Sequence, residues 1–476
     1  MLFNSFDFVI FFIVVTTLYF ALPQRFRWFL LLVSSCYFYM SFIPVYILIL
    51  GFTIIIDYFV GRLLGRYQGK KRKTVLIASF VANIGVLAVF KYYNFLNNNL
   101  TSLLHTINFT NLLPTLSIIL PIGLSFHTFQ AMSYTIEVYR GNQKPEKNFG
   151  IYALYVMFYP QLVAGPIERP QNLIHQFYER HSFDYSRVTE GLKLMLWGFF
   201  KKLVIADRLA VYVNTIYDNP LHHNGTTLLV ATIFFAFQIY CDFSGYSDIA
   251  IGAAKIMGFK LMLNFNRPYF SGNIAEFWKR WHISLSSWFR DYFYFSLGGN
   301  RVSVPRWYFN LFIVFLISGL WHGANWTFVI WGALNGFYLI FAIISSKFRE
   351  RIIDWMGFKN FPTGFQFIQI LSTFMLSCFS WIFFRANNLD DASQIIKTIF
   401  TNKGPVYVEN PSVIIYSICA ILFLLLVEIK QEYYHGDFSF MHNQSWIVRN
   451  LSYTFLVLII LLVGVFDGGQ FIYFQF

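Results

Sequence analysis

Residues 308–341 read YFNLFIVFLISGLWHGANWTFVIWGALNGFYLIF, two apolar runs separated by a short polar turn. The runs cover 308–320 and 327–341, and neither contains a charged side chain. An α-helix needs about 20 predominantly apolar residues to cross the hydrocarbon core of a bilayer. The stretch therefore predicts two consecutive transmembrane helices, at 308–321 and 325–344, with the turn between them.

The same apolar character extends over the whole chain. Of its 476 residues 57% are hydrophobic, 21% aromatic and only 12% charged, and the mean hydropathy is +0.52. Soluble domains carry about twice that share of charge, and aromatic side chains suit lipid-facing surfaces and interfacial belts. The composition predicts an all-α polytopic membrane protein in which residues 1–476 form a single integral membrane domain.

Basic residues lie mostly between the apolar runs, as the positive-inside rule expects of cytoplasmic loops. Arg25 and Arg27 follow the first run at 8–22, and the segments 62–73 and 140–147 are strongly basic. These segments are predicted to be cytoplasmic, with the N-terminus facing outward. Such loops account for the net charge of +13, and no recognisable nucleic-acid motif accompanies it, so binding of nucleic acid is not expected.

The remaining apolar runs bring the prediction to about ten to twelve membrane-crossing or re-entrant helices. The run at 149–164 is too short to span and stops at Gly165-Pro166, which predicts a re-entrant element. Residues 1–7 lack Lys and Arg, so the first run is expected to be retained rather than cleaved as a signal peptide. No internal repeat is visible, which argues against an inverted-repeat transporter. Further spans are predicted at 75–93, 115–139, 227–241, 365–384, 411–427 and 450–466, and a helical hairpin turning near 41–44.

His322, in the turn between the two quoted runs, is the first candidate for chemistry. A histidine at this depth is costly to desolvate, and such residues usually face a bundle interior or a water-filled path. Neutral imidazole suits a general base because its unperturbed pKa lies near neutrality. Ser318 and Asn325 are candidate donors to a developing oxyanion, and Trp321 a candidate to line a tunnel. The alternative is a structural histidine bonded to a neighbouring carbonyl.

The stretch 271–301, SGNIAEFWKRWHISLSSWFRDYFYFSLGGNR, holds a second candidate, His282. Asn273 and Glu276 resemble a helix cap, and Gly298-Gly299 supplies a stop. Aromatic and apolar residues recur between them at threes and fours, which predicts an amphipathic helix at the membrane interface. His282 is then either part of that helix surface or a catalytic or substrate-positioning group.

Asp242 and Asp248, in CDFSGYSD at 241–248, place two carboxylates in an apolar context. They could point toward a cavity, or be neutralised by nearby Arg or Lys; both readings stay open. The four cysteines are scattered without metal-ligand spacing, and no phosphate-loop motif occurs, so neither a metal site nor a bound cofactor is predicted.

Four stretches together resemble the membrane-bound O-acyltransferase superfamily, specifically its bacterial alginate O-acetyltransferase branch. The resemblance covers most of the chain, keeps the order and spacing of the motifs, and extends to the terminal FIYFQF at 471–476. The stretches are FYPQLVAGPIERP at 158–170, QIYCDFSGYSDIAIGAAKIMGF at 238–259, FNRPYFSGNIAEFWKRWHISLSSWFRDYFYFSLGGNR at 265–301 and GLWHGANWTFVIWGALNG at 319–336.

The resemblance implies that His322 is the central histidine of the superfamily and that His282 is the histidine of the Trp-His motif. It also implies a multi-helix bundle, with re-entrant and interfacial helices around a central tunnel whose funnels meet near these histidines. The implied donor is cytoplasmic acetyl-CoA, and the implied location is the bacterial inner membrane. The implied partners are an extracytoplasmic SGNH-type acetyltransferase and polysaccharide export machinery.

Several alternatives remain open from the sequence. The acceptor could be an exopolysaccharide, another cell-envelope glycan, a teichoic-acid precursor or a lipid, and the protein could acetylate it directly or relay the group to a partner. A proton-coupled transporter would use the buried His, Asp and Glu as a relay. A structural scaffold of an export complex would need none of them.

Overall fold

The computed structural model describes residues 1–117, 120–434, 441, 443, 445–466 and 472. Within this part of the chain every regular element is helical and no strand occurs, which confirms the all-α prediction. Eight of the described helices are long and apolar enough to cross a membrane, and Phe6–Ala21 is a shorter apolar helix. The eight are Tyr46–Leu64, Gly69–Thr106, Gly225–Met257, Val304–His322, Trp326–Ile344, Pro362–Arg385, Pro411–Tyr433 and Trp446–Val463.

The long apolar helices coincide with the spans predicted at 75–93, 227–241, 308–321, 325–344, 365–384, 411–427 and 450–466. The span predicted at 115–139 is shorter than expected, because its helix begins only at Leu124. Pro121 lacks the amide that a helix would need, and Gly123 adopts a left-handed φ of 75°. Of the terminal FIYFQF segment, only Ile472 lies among the described residues.

The first of two compact units comprises residues 1–192 and 250–262. Three helices of this unit, Tyr46–Leu64 (α3), Gly69–Leu87 (α4) and Leu124–Arg140 (α6), enclose a buried polar cluster. In it Asp57 accepts hydrogen bonds from Ser79 at 2.6 Å and Asn83 at 2.7 Å. Thr135 lies 3.2 Å from the Ser79 hydroxyl. The helices are α1 Phe6–Ala21, α2 Gln24–Met40, α3 Tyr46–Leu64, α4 Gly69–Leu87, α5 Tyr93–Thr106, α6 Leu124–Arg140, α7 Phe149–Met157, α8 Tyr159–Leu162, α9 Pro170–Leu173 and the start of α10 Tyr185–Phe199.

The two most basic segments of the first unit lie at the same end of its bundle. The Arg72 guanidinium donates to the carbonyl oxygen of Val138 at 2.8 Å, two residues before the segment 140–147. This arrangement agrees with the prediction, made from their positive charge, that both segments lie on the same side of the membrane.

The predicted re-entrant element consists of α7 and α8, both too short to span a bilayer and both buried in protein. After them the chain reaches Glu168, whose carboxylate accepts from the backbone amide of Met262 and from Asn172 at 3.4 Å. Burial raises the pKa of Glu168 to about 6. The motif at 158–170 therefore packs irregular backbone inside the first unit, where protein groups satisfy it.

The second unit comprises residues 193–249 and the described residues from 263 onward. A π-helical segment, Phe200–Ala206, precedes α11, and another, Phe289–Tyr294, follows α14. The helices are α11 Asp207–Tyr217, α12 Gly225–Met257 up to residue 249, α13 Ile274–Arg280, α14 Ile283–Trp288, α15 Val304–His322, α16 Trp326–Ile344, α17 Ser346–Trp355, α18 Pro362–Arg385, α19 Leu389–Thr401, α20 Pro411–Tyr433 and α21 Trp446–Val463.

The prediction of an amphipathic interfacial helix over 271–301 is wrong in two respects. The chain breaks between α13 and α14 at His282, and Trp281 and Trp288 are buried inside the protein with 1% and 5% of their surface exposed. The Trp281 ring packs 5.0 Å from that of Trp381 on α18. The caps are confirmed: Asn273 accepts from the Glu276 amide at 2.9 Å, and Gly298 ends the segment with a φ of 96°.

Candidate active site

Helices α15 and α16 form a closely packed hairpin that carries His322 at its turn. A Cβ added at Gly319 would collide with the carbonyl oxygen of Phe328, and one at Gly332 with that of Phe315. A Cβ at Gly323 would collide with the Phe328 ring. Glycine at these positions lets the two helices approach at backbone distance, as small residues do in membrane helix pairs.

His322 is the last residue of α15 and is 4% exposed. Aromatic rings enclose it: the centroid of Trp321 lies 4.8 Å from the imidazole, that of Trp331 5.0 Å and that of Phe384 5.2 Å. Helices α15, α16 and α18 each supply one of these rings, so the packing of three helices fixes the position of the imidazole.

His282 occupies the break between α13 and α14 and is 1% exposed. Its Nδ1 lies 3.1 Å from the side-chain oxygen of Asn264, and its ring packs edge-on against Phe243 at 4.6 Å. Burial lowers the pKa of His282 to about 3, so this imidazole is neutral at physiological pH.

The two histidines are 40 residues apart in the sequence, and both pack near the ring of Trp321. The Trp321 ring centroid is 6.3 Å from that of His282 and 4.8 Å from that of His322. The structure thus brings together three of the residues predicted from sequence in one buried centre of the second unit.

Ser318 and Asn325 lie on either side of His322 along the hairpin. Ser318 is buried one helical turn before His322, and therefore on the same face of α15. Asn325 caps α16, because its side-chain oxygen accepts from the Thr327 amide at 3.1 Å while its amide donates to the Asn387 carbonyl at 3.0 Å. Both polar atoms of the Asn325 side chain, the oxygen and the nitrogen, are therefore engaged in structural hydrogen bonds.

Buried indole N–H groups next to His322 were not predicted from sequence. Trp331 and Trp381 are each 1% exposed, and their Nε1 atoms have no hydrogen-bond acceptor among the described residues. The two indoles stack at 5.9 Å. An unsatisfied buried donor costs about 1–3 kcal/mol, so this pair is a candidate to bind a ligand oxygen. Tryptophan in an apolar helix carries no sequence signal that separates such a donor from ordinary core.

Asp242 and Asp248 are held in buried ion pairs with two lysines of the π-helical segment. Lys202 lies 2.6 Å from Asp242 and 2.7 Å from Asp207, and Lys201 lies 2.6 Å from Asp248. Asp242 also accepts from the Ile472 backbone amide at 2.7 Å. Of the two readings that the sequence left open, the observed contacts match neutralisation by nearby Lys.

Fold and site together define a multi-pass helical membrane protein with a buried centre of two histidines around one tryptophan. The model of the membrane-bound O-acyltransferase family matches residues 146–384, which include both histidines. Among relatives, the probable alginate O-acetylase of Pseudomonas aeruginosa is 39% identical over 405 residues, covering 84% of this chain and 75% of that protein.

Two further relatives differ in their named acceptors. The peptidoglycan O-acetyltransferase of Helicobacter pylori is 35% identical over 401 residues, 77% of this chain and 72% of that protein. The teichoic acid D-alanyltransferase of Bacillus subtilis is 26% identical over 276 residues, 55% of this chain and 68% of that protein. The chain therefore belongs to the membrane-bound O-acyltransferase family, in its bacterial alginate O-acetyltransferase branch, and is an O-acyltransferase.

Proposed function

We propose that this protein takes the acetyl group of cytoplasmic acetyl-CoA and passes it through the bacterial inner membrane for O-acetylation of an exopolysaccharide or cell-envelope glycan. The observation that carries the proposal is the burial of His282 and His322 against Trp321 within a membrane-embedded bundle. The named activities of the relatives at 39% and 35% identity support acetyl as the acyl group and a glycan as the acceptor.

In the proposed reaction His322 is the general base. The acceptor hydroxyl attacks the thioester carbonyl, and His322 takes the hydroxyl proton as the carbon–oxygen bond forms. The carbon–sulfur bond then breaks, and the imidazolium returns the proton to the leaving sulfur, which leaves as the free thiol. A base in this position typically contributes 10²–10⁴-fold to the rate. His282, neutral at physiological pH, has the positioning role.

The Trp331 indole N–H is the proposed donor to the oxyanion. It belongs to a ring that packs 5.0 Å from His322, it is buried, and it has no other acceptor among the described residues. Asn325 is a weaker candidate because capping and the Asn387 carbonyl engage its side chain. A donor that needs no reorganisation during the reaction stabilises developing charge effectively in a water-poor site.

The bilayer explains why the proposed acetyl donor and the proposed recipient are on opposite sides of the membrane. Coenzyme A carries several phosphates and cannot cross a hydrocarbon core of about 30 Å, whereas the acetyl group is small and neutral. The basic segments 62–73 and 140–147 of the first unit are predicted to face the cytoplasm, the compartment of the proposed donor. An extracytoplasmic SGNH-type acetyltransferase, working with polysaccharide export machinery, is the proposed recipient on the other side.

A teichoic-acid precursor is the second candidate acceptor, supported by the relative of Bacillus subtilis at the lower identity of 26%. The transporter alternative gains no support from the buried carboxylates. Asp242 and Asp248 are instead each held in an ion pair by a lysine at 2.6 Å.

The test is acetyl turnover by the purified full-length protein in detergent or nanodiscs. With radiolabelled acetyl-CoA and either alginate or peptidoglycan fragments, wild type should release CoA and label the acceptor. His322→Ala should lower turnover by about 10²-fold or more, because the base is lost. His105→Ala, which removes an exposed histidine of α5, is the matched control and should keep wild-type turnover.

Unchanged turnover in His322→Ala would remove the catalytic assignment. Proton or solute flux into proteoliposomes without acyl turnover would favour the transporter, and a silent His322→Ala with partner binding intact would favour the scaffold.

A further inference from the structure

The backbone of His282 is in a conformation that L-residues avoid. Its φ of 43° and ψ of 55° are left-handed, and only two other described non-glycine residues have positive φ. A left-handed conformation costs about 1–2 kcal/mol for a residue with a Cβ. Strain of this kind persists where surrounding contacts enforce it, and it concentrates at functional sites.

The contacts that enforce the left-handed conformation of His282 come from the loop before α13. The Ile283 amide donates to the Asn264 carbonyl at 2.9 Å, and the Asn266 amide donates to the Arg280 carbonyl at 2.9 Å. Backbone hydrogen bonds thus join this loop to the chain on both sides of His282. Asn264 itself is fully buried.

The side chain of Asn264 has one possible orientation. Its oxygen accepts from the backbone amide of Ser284 at 3.2 Å and from the Ser284 hydroxyl at 2.9 Å, and its nitrogen donates to the Ser247 hydroxyl at 3.1 Å. Because a backbone amide can only donate, the atom that faces it must be the oxygen. The same oxygen lies 3.1 Å from Nδ1 of His282.

This orientation decides the tautomer of His282. An oxygen acceptor at hydrogen-bond distance requires that Nδ1 carry the hydrogen. In a neutral imidazole only one nitrogen is protonated, so Nε2 is the nitrogen with the lone pair.

We propose that Asn264 is a positioning residue that holds His282 as the Nδ1–H tautomer, so that Nε2 accepts a hydrogen bond from a hydroxyl of the acetyl acceptor other than the one whose proton His322 takes. The role rests on the proposed acetyl transfer and extends it to a residue that no motif of the sequence singled out. Asn264 acts through His282 and does not itself touch the substrate. The competing explanation is that Asn264 only clamps the loop to α14.

Two substitutions separate these explanations. Asn264→Asp keeps an oxygen acceptor at the same place and therefore the same tautomer, and its charge raises the pKa of His282. It should retain activity within about tenfold and move the titration of the His282 ring, followed by ¹⁵N NMR, to higher pH. Asn264→Leu matches the volume without an acceptor and should lower kcat by about 10²-fold or more through the wrong tautomer. Ser287→Ala, also on α14, is the control and should keep the wild-type kcat and His282 titration.

A folded Asn264→Leu with wild-type kcat, or an Asn264→Asp in which the titration of the His282 ring is unmoved, would overturn the proposal. If Asn264→Leu fails to fold, the His282 titration in Asn264→Asp decides alone.

A second measurement does not depend on activity. In protein labelled with ¹⁵N-histidine, the signals lost in His282→Gln identify the His282 ring, and their shifts distinguish a protonated Nδ1 from a protonated Nε2. A protonated Nδ1 in wild type is expected, and a protonated Nε2 would refute the tautomer. Absence of acetyl turnover with a protonated Nδ1 would instead count against the proposed function alone.

Discussion

At the scale of single residues, the candidate site depends on how little water surrounds its polar groups. His282 is 1% exposed and His322 4%, and the indoles of Trp331 and Trp381 are each 1% exposed. In such surroundings a hydrogen bond is electrostatically stronger than in water, and an unsatisfied donor is costly. The polar atoms of the site are therefore suited to a substrate that supplies the missing acceptor.

Removal of the Trp331 N–H should reduce catalysis more than stability. Trp331→Phe keeps most of the ring contacts with His322 and Trp381 but deletes the donor. We expect kcat for CoA release to fall by about 10²–10³-fold, the usual loss for one oxyanion donor. Trp355→Phe changes an indole that is 86% exposed and should leave kcat unaltered. Equal kcat values for the two variants would assign the oxyanion to another donor.

At the scale of elements, the α15–α16 hairpin is the part of the second unit that sets the position of His322. Its glycines bring the two backbones together: Gly319 and Gly332 have no space for a Cβ, and a Cβ at either would meet a carbonyl oxygen of the facing helix. A backbone atom cannot move aside as a flexible side chain can, so the whole helix would have to shift.

Gly319→Ala should therefore destabilise the protein. We expect a loss of about 1–3 kcal/mol, the usual range for overpacking a close contact, together with reduced acetyl turnover because α15 carries His322. Gly85→Ala is the matched control, since Gly85 also lies in an apolar helix but has nothing within 4 Å of an added Cβ. Thermal unfolding in one detergent compares the two, and an unaltered midpoint for Gly319→Ala would contradict the packing argument.

At the scale of the whole molecule, the charge distribution predicts how the first unit is oriented in the bilayer. The basic segment 62–73 lies at the same end as 140–147, joined by the bond from Arg72 to Val138. Leu112, 91% exposed, belongs to the uncharged loop after α5, on the predicted outer side. This orientation puts the basic segments of the first unit in the cytoplasm.

Cysteine labelling in intact spheroplasts tests the orientation. In a variant without the four native cysteines, Leu112→Cys should react with a membrane-impermeant maleimide, and Lys71→Cys should react only after the membrane is permeabilised. Labelling of Lys71→Cys in sealed cells would invert the predicted topology of the first unit.

Reading the amino-acid sequence alone was enough to predict the all-α membrane character and most spans, and it singled out His282 and His322 as candidates. Each spanning helix needs about 20 consecutive apolar residues. Because this requirement concerns one continuous segment, the hydropathy of the sequence shows it directly. The caps at Asn273 and Gly298 were also predicted, because a cap depends on a few neighbouring residues.

The surroundings of those histidines could not be predicted from the sequence, because they come from packing between distant parts of the chain. The break at His282 runs against the amphipathic pattern of 271–301, because contacts with Asn264, 18 residues earlier, enforce a left-handed backbone there. The lysine partners of Asp242 and Asp248 lie 40 and 47 residues away in the chain. Such pairings depend on which helix faces pack together, and a local pattern of apolar residues carries no information about that choice.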